Sequence, residues 1–241
     1  MMGWRGRLGF LVPPGNPTVE PEMTLLAPRG VSLHFSRLVA SGPTGTPEGQ
    51  AERNRSYLEH IEASTRLLAM VHPDVIVLAH TASSYHLERH EEAQLIARLE
   101  AQSGAQVLTA AATVLQALRH LSVRKVALAT PYPETISRQG KAYLETHGFD
   151  VVSYGRLDNV HNIYDETAER AYRLARQVDT PEAEAVFISG TGLPTLPILE
   201  PLEQDLGKPV LSSATAMMWC ALRTAGIGQS IGGYGRLLAC T

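Results

Sequence analysis

The chain has 241 residues, of which 44% are hydrophobic and 19% are charged, and its formal net charge is −3 at pH 7. This is the composition of an ordinary globular protein, with enough chain for a sizeable core in one large domain or two small ones. The scattered basic residues argue against a nucleic-acid surface, and no window reaches the roughly 18 apolar residues of a membrane span.

Cysteine usage and the N-terminal segment narrow the class further. Cys220 and Cys240 have neither CxxC spacing nor a partner cluster, so the sequence favours neither a zinc site nor a disulfide framework. The first apolar segment is short and is interrupted by Pro13 and Pro14, so we expect no signal peptide. We therefore expect a cytoplasmic protein with no metal, nucleic-acid or membrane partner.

Short apolar segments alternate with amphipathic ones along the whole chain. The predicted strands cover residues 8–12, 31–38, 75–79, 105–108, 125–130, 150–154, 184–189 and 210–212. The predicted helices begin near residue 18 and then cover residues 51–71, 87–102, 110–121, 133–147, 166–178, 193–206 and 214–225. Residues 40–49, which hold three Gly and two Pro, and the Gly-rich tail from residue 226 are predicted loops. Such alternation predicts an α/β fold with parallel strands and helices on both faces.

The third predicted strand ends in a cluster of small polar residues. The cluster consists of His80, Thr81, Ala82, Ser83 and Ser84. Open α/β sheets place their ligands at the carboxyl ends of the strands, so this cluster is a candidate site. Residues 185–193 have the same layout, with Gly190 and Thr191 standing where His80 and Thr81 stand. We therefore expect two strand ends to face one small substrate.

The repetition extends to three pairs of segments in the same order. The pairs are residues 8–16 with 126–134, residues 75–85 with 185–193, and residues 107–113 with 210–216. This order predicts two similar halves. The first half covers residues 1–121 and is completed by residues 217–241, and the second covers residues 122–216.

Five motifs in register resemble one known family. They are VPPGNPTVEPEM, VLAHTASSY, ALATPYPETI, ISGTGL and PVLSSATAMMW. Together they cover nearly the whole chain and are similar to the arylmalonate decarboxylase and maleate cis–trans isomerase branch of the aspartate/glutamate racemase superfamily. The resemblance implies two flavodoxin-like halves related by a pseudo-two-fold axis, with the active site between them. It also implies chemistry without cofactor or metal, and it is compatible with a homo-oligomer.

The resemblance also assigns residue roles. In this family, cysteines from the two facing strand ends carry out the proton or addition chemistry, and their positions fall on His80 and Gly190 here. Both thiols are therefore replaced. Thr81 and Tyr132 match donors that hold the substrate carboxylate or enediolate, whereas Ala82 falls where the decarboxylase has a serine.

The remaining substrate-binding candidates surround these positions. They are Pro14, Asn16, Ser83, Asn159, Gly190, Thr191 and Gly192. Asn16 matches an isomerase asparagine that binds a carboxylate, and Asn159 matches a second one in a loop that aligns poorly. The hydroxyl groups can bind an anion or simply cap the following helices, and Asn16 can likewise cap its own helix.

The chemistry of two side chains determines the predicted reaction. An unperturbed imidazole has a pKa of about 6.5, so His80 can exchange a proton near neutrality; a bound carboxylate would raise this pKa and burial would lower it. His80 could equally be structural. The phenol of Tyr132 can stabilise a developing oxyanion, or it can pack as a rim aromatic.

We therefore predict a cofactor-independent isomerase or lyase for a small dicarboxylate or α-substituted carboxylic acid. The reaction would pass through an enediolate-like charge, with His80 in place of the family's cysteine and Thr81, Tyr132 and Thr191 as donors. The alternative is a non-catalytic protein that binds a small carboxylate on the same fold. A hydrolase or lyase using Thr191 or Ser83 as nucleophile lacks an acid placed to orient His80.

Overall fold

The fold contains eight strands and eleven α-helices within the residues that this computed structural model describes, which are 2–43 and 46–239. The strands are β1 (Gly6–Val12), β2 (Val31–Arg37), β3 (Val75–Leu78), β4 (Gln106–Thr109), β5 (Lys125–Thr130), β6 (Asp150–Arg156), β7 (Ala185–Ile188) and β8 (Val210–Ser212). The helices are α1 (Val19–Leu26), α2 (Pro47–Glu59), α3 (Ile61–Ala69), α4 (Thr81–Tyr85), α5 (Arg89–Ser103), α6 (Ala110–His120), α7 (Glu134–Thr146), α8 (Ala168–Val178), α9 (Leu196–Leu206), α10 (Ser213–Thr224) and α11 (Arg236–Ala239). A 3-10 turn covers Ile163–Asp165.

The strands form two parallel sheets of four, in the equivalent orders β2-β1-β3-β4 and β6-β5-β7-β8. The inner strands β3 and β7 are apolar along their whole length and are fully buried. Helices cover both faces of such strands, so continuous apolar sequence rather than alternation is what stabilises them. The predicted fold class of two flavodoxin-like halves is confirmed.

The helix predicted at residues 51–71 is wrong as a single element. The chain forms α2 and α3, which are separated at His60, where the backbone leaves helical geometry (φ −110°, ψ 7°). The ring Nδ1 of His60 lies 3.0 Å from the carbonyl oxygen of Ser56, so local hydrogen bonding competes with continuation of the helix.

Two segments predicted as loops contain helix. α2 begins within residues 40–49, because Thr46 Oγ1 accepts the N–H of Gly49 at 3.1 Å and a proline occupies the first turn. Residues 44 and 45 of that predicted loop lie outside the described residues. The Gly-rich tail contains α11, whose Leu237 and Leu238 side chains are buried in the core.

The C-terminal segment returns to the first sheet. α10 follows β8, yet it packs against α6 and contacts α1 and β3. The side chain of Ile227 lies so close to the start of β1 that a Cβ on Gly6 would be 3.0 Å from its Cδ1. The completion of the first half by residues 217–241 and the division at residue 121 both stay predictions. In the described part of the chain, no helix combines the length and the apolar character needed to span a bilayer.

Candidate active site

The carboxyl ends of β3 and β7 lie against each other and are joined by hydrogen bonds. Thr191 Oγ1 donates to the carbonyl oxygen of Ala79 at 3.0 Å. The hydroxyls of Tyr85 and Ser189 share a hydrogen bond of 2.9 Å. Each bond connects one half of the chain with the other. The two strand ends therefore form a single polar site, as the sequence predicts.

Ser213, at the start of α10, connects the same two ends. Its hydroxyl oxygen accepts a hydrogen bond from Thr81 Oγ1 at 3.2 Å and another from the backbone N–H of Gly190 at 3.1 Å. Ser213 was not among the predicted site residues. The signal was present, because Ser213 belongs to the motif PVLSSATAMMW and directly follows a predicted strand.

His80 lies just after β3 and directly precedes α4. Its Nδ1 lies 2.5 Å from the Ser83 hydroxyl, and the edge of Tyr57 packs against its ring with the centroids 5.0 Å apart. Burial, together with a smaller contribution from the neighbouring His86, lowers the pKa of His80 to about 3. The imidazole is therefore neutral at pH 7 in the unliganded protein.

Tyr132 supplies a hydrogen-bond donor next to Thr81, the residue that follows His80. It follows β5 between two prolines, it is only 4% exposed, and its hydroxyl is hydrogen-bonded to Thr81. Burial raises the pKa of Tyr132 far above its ordinary value, and the nearby Tyr85 contributes in the same direction. The phenol therefore keeps its proton and can donate it in a hydrogen bond to an oxyanion.

In the side-chain amide of Asn16, the oxygen accepts hydrogen bonds, whereas the nitrogen has no partner among the described residues. Its Oδ1 accepts the backbone N–H groups of Thr18 at 2.8 Å and of Val19 at 3.0 Å, which is the capping role left open by the sequence. Its Nδ2 is buried and has no hydrogen-bond partner among the described residues. A buried donor without an acceptor is unfavourable, so Nδ2 is a candidate ligand contact.

The two glycines of the ISGTGL motif leave no room for side chains. Gly190 has φ +104°, and a Cβ there would lie 2.8 Å from Cγ of Pro131. A Cβ on Gly192 would lie 2.6 Å from Cε1 of Tyr164, whose ring also lies over Gly15. Close packing at these two positions, rather than a simple turn, therefore requires glycine.

Two of the predicted substrate-binding residues lie away from this cluster. Pro14 and Asn159 are both exposed, and Asn159 has left-handed backbone geometry (φ 54°) in the loop after β6. No described contact joins either of them to the strand ends.

Ser83 is buried and contacts His80, so the structure places it as a support for the imidazole.

The side chains of three further histidines and of Cys220 have no described hydrogen bond to the strand-end cluster. His86 and His90 line an outer groove of about 720 Å³ beside α5 and α7, and His161 is exposed in a loop. Cys220 is buried on α10, where burial raises the pKa of its thiol to about 12. Cys240 lies outside the described residues. Within the part of the chain that is described, no group of three or more His, Cys, Asp or Glu is arranged to hold a metal ion.

Two aromatic residues that the sequence analysis missed complete the wall of the site. Tyr57 of α2 contacts the His80 ring, and Tyr164 of the 3-10 turn lies over Gly192. Burial raises the pKa of Tyr164, the nearby Tyr57 raises it further, and Arg53 and Arg37 act in the opposite direction. The sequence suggested only that Tyr57 belongs to an apolar helix face, and it gave no signal for Tyr164.

Comparison with known proteins gives matches along nearly the full length of the chain. A family profile described as arylmalonate decarboxylase matches residues 8–238. A maleate isomerase of Nocardia farcinica is 32% identical over 248 residues, covering 98% of this chain and 96% of the relative. An arylmalonate decarboxylase of Bordetella bronchiseptica is 30% identical over 245 residues, covering 95% of both chains. The structure of a Nocardia farcinica maleate cis–trans isomerase mutant with a covalently bound succinylcysteine intermediate has 30% identity and a TM-score of 0.86, over 97% of this chain and 98% of that one.

Proposed function

We propose that this chain, which belongs to the arylmalonate decarboxylase family, is a cofactor-independent isomerase or lyase for a small dicarboxylate or α-substituted carboxylic acid. Its relatives act as maleate isomerases and as an arylmalonate decarboxylase, which supports an enzyme of this type. For the mechanism, we propose that an enediolate-like intermediate forms and that His80 moves the proton. The observation that carries it is a neutral imidazole next to the hydrogen-bonded pair of Thr81 and Tyr132.

The arrangement supports His80 as the base. The hydrogen bond between Nδ1 and Ser83 holds the ring in one orientation, so Nε2 is the atom left for the substrate. Nε2 takes the proton from the α-carbon, and the electron pair of the C–H bond moves onto the substrate carboxylate. Tyr132 donates a hydrogen bond to one of the resulting enediolate oxygens. The Thr81 hydroxyl, which donates to Ser213 in the unliganded protein, gives up that bond and donates to the other enediolate oxygen, and the imidazolium then returns the proton to carbon.

The low pKa of His80 favours a reaction that begins with proton removal. A ring with a pKa of about 3 has no proton to deliver at pH 7 until the substrate binds. Decarboxylation requires a proton donor for the carbanion that follows loss of CO2, whereas isomerisation by proton transfer starts with the neutral base. An anionic substrate close to the ring raises its pKa and thereby strengthens the base.

The proposal is tested with a panel of acids in D2O. Phenylmalonate and 2-phenylpropionate, which carry an α-hydrogen that His80 can remove, and maleate, whose vinylic carbons carry none of this kind, are incubated with the purified chain. Product formation and exchange of the α-hydrogen are followed by NMR. We expect turnover or exchange with at least one acid, and a loss of about 10²–10⁴-fold in His80→Ala. His90→Ala serves as the control, because His90 is exposed on α5. An unchanged rate in His80→Ala would remove this residue from the mechanism.

A non-catalytic carboxylate-binding protein is the second candidate, and one observation favours it. Two donors at the strand ends are already engaged, since the Thr191 hydroxyl donates to Ala79 and the Gly190 N–H donates to Ser213. Binding of succinate without product from any acid of the panel would support this second function over the first.

A further inference from the structure

Arg53 is a cation on α2 that lacks an acidic partner. It is partly buried, and its guanidinium donates to the carbonyl oxygen of Pro43 and is hydrogen-bonded to the Tyr57 hydroxyl. No carboxylate lies within ion-pair distance of it in residues 2–43 and 46–239. Arg37 differs in this respect, because its guanidinium is 2.7 Å from a Glu20 oxygen.

The position of Arg53 is next to the candidate active site. Tyr57, one helical turn further along α2, packs its ring edge against His80. The charge of Arg53 also acts on Tyr164, whose ring lies over Gly192 at the end of β7. The guanidinium is therefore close to two aromatic residues that form the wall of the site, one from each half of the chain.

Asn54 is a second, independent sign of a missing ligand on the same helix. It is only 5% exposed, and its Nδ2 is buried without a hydrogen-bond partner among the described residues. The backbone carbonyl oxygen of Asn54 lies 3.5 Å from the hydroxyl of Ser83, the residue that contacts His80. Buried amide donors normally have an acceptor, so this position can accommodate an oxygen from a ligand.

We propose that Arg53, Asn54 and the Tyr57 hydroxyl form an anion subsite that binds a second carboxylate of the substrate. The proposal rests on the proposed function, which places the reacting carboxylate at Thr81 and Tyr132. It assigns recognition of that second carboxylate to three residues of α2. A guanidinium carries five N–H donors, and the two contacts with Pro43 and Tyr57 leave others for a carboxylate. Hydrogen bonds between ions of opposite charge are stronger than neutral ones, so this subsite contributes to specificity as well as affinity.

The test compares succinate, a dicarboxylate that removal and return of an α-proton leaves unchanged, with butyrate, which lacks the second carboxylate. Binding of each to the full chain is measured by isothermal titration calorimetry. We expect succinate to bind about tenfold more tightly than butyrate, and Arg53→Gln to remove most of this preference while changing butyrate affinity less than about twofold. Arg55→Gln is the matched control on the same helix, because Arg55 is exposed, and it should retain the preference.

Two further measurements keep the proposal falsifiable. Arg53→Lys keeps the charge and should retain part of the preference, and higher salt should reduce the preference in the unsubstituted chain. An unsubstituted chain that binds succinate no more tightly than butyrate would overturn the subsite, as would equal weakening of both ligands in Arg53→Gln. Turnover of an acid with one carboxylate alongside such a result would leave the proposed function intact. Conversely, an intact succinate preference without any turnover would refute the enzyme and retain the subsite.

Discussion

Replacing Gly190 by alanine tests whether packing, rather than chance, keeps a side chain out of the end of β7. An L-residue in left-handed geometry costs about 1–2 kcal/mol, and Gly190 has φ +104°. The new Cβ would also lie 2.8 Å from Cγ and 3.2 Å from Cδ of Pro131. Overpacking of this kind costs about 1–3 kcal/mol. The free energy of unfolding should therefore fall by about 2–5 kcal/mol.

Gly104→Ala provides the matched control. Gly104 ends α5 with φ +70°, and nothing lies within 4 Å of a Cβ built there. This variant carries the backbone cost without the steric one, about 1–2 kcal/mol. Because 1 kcal/mol changes Tm by roughly 2–4 °C in a chain of this size, Gly190→Ala should melt roughly 2–12 °C below Gly104→Ala.

Thermal unfolding followed by circular dichroism, with urea unfolding as a second measure, checks this difference. Equal stability of the two variants would refute the steric argument. It would show that the end of β7 accepts a side chain where the family resemblance places a cysteine. A confirmed difference would mean that a thiol cannot be restored at residue 190 without a shift of Pro131.

Three further predictions concern single side chains. Glu22 is buried with its Oε1 on the N–H groups that begin α9, and burial raises its pKa from 4.5 to about 7. The protonated form is favoured in the folded state, so its stabilising contribution is complete below pH 4.5 and is lost as the pH rises through about 7. Glu22→Gln should therefore flatten the pH dependence of urea unfolding between pH 4.5 and 8 by about 3 kcal/mol, and an unchanged slope would contradict this account. Tyr132→Phe should lower kcat for any acid turned over by about 10–10³-fold with little change in Tm, because Thr81 keeps its bond to Ser213; a large loss of Tm instead would indicate a structural role. Because His80 is neutral above a pKa of about 3, kcat/KM should show no acidic limb near pH 6.5, and such a limb that disappears in His80→Ala would refute the assigned protonation state.

Much of the fold could be predicted because buried parallel strands correspond to short apolar segments in the sequence. Residues 125–130 and 210–212 form strands with the predicted bounds, and the other strands differ by a few residues. The break between α2 and α3 could not be predicted in this way. It depends on a local hydrogen bond of His60, which a hydrophobic pattern does not record.

The strand-end residues could be predicted as a group, since topology brings the ends of parallel strands together. His80, Thr81 and Thr191 were placed by that rule, and Tyr132 by the family resemblance. The contribution of α2 could not be read from the sequence, because it depends on which side of the helix faces α4 in the folded chain. Tyr164 lies in irregular structure, where residue type gives no indication of position.

The hydrogen bonds that cross between the sheets limit how a substrate can enter. Swinging the two halves apart about a hinge would break the bonds of Thr191 to Ala79 and of Tyr85 to Ser189 together, and would separate Glu22 from α9. Outward displacement of α2 and of the turn at Ile163–Asp165 breaks none of these three. Passage in and out of the site should therefore depend on the mobility of these two peripheral segments, while the interior of the protein stays rigid throughout a catalytic cycle.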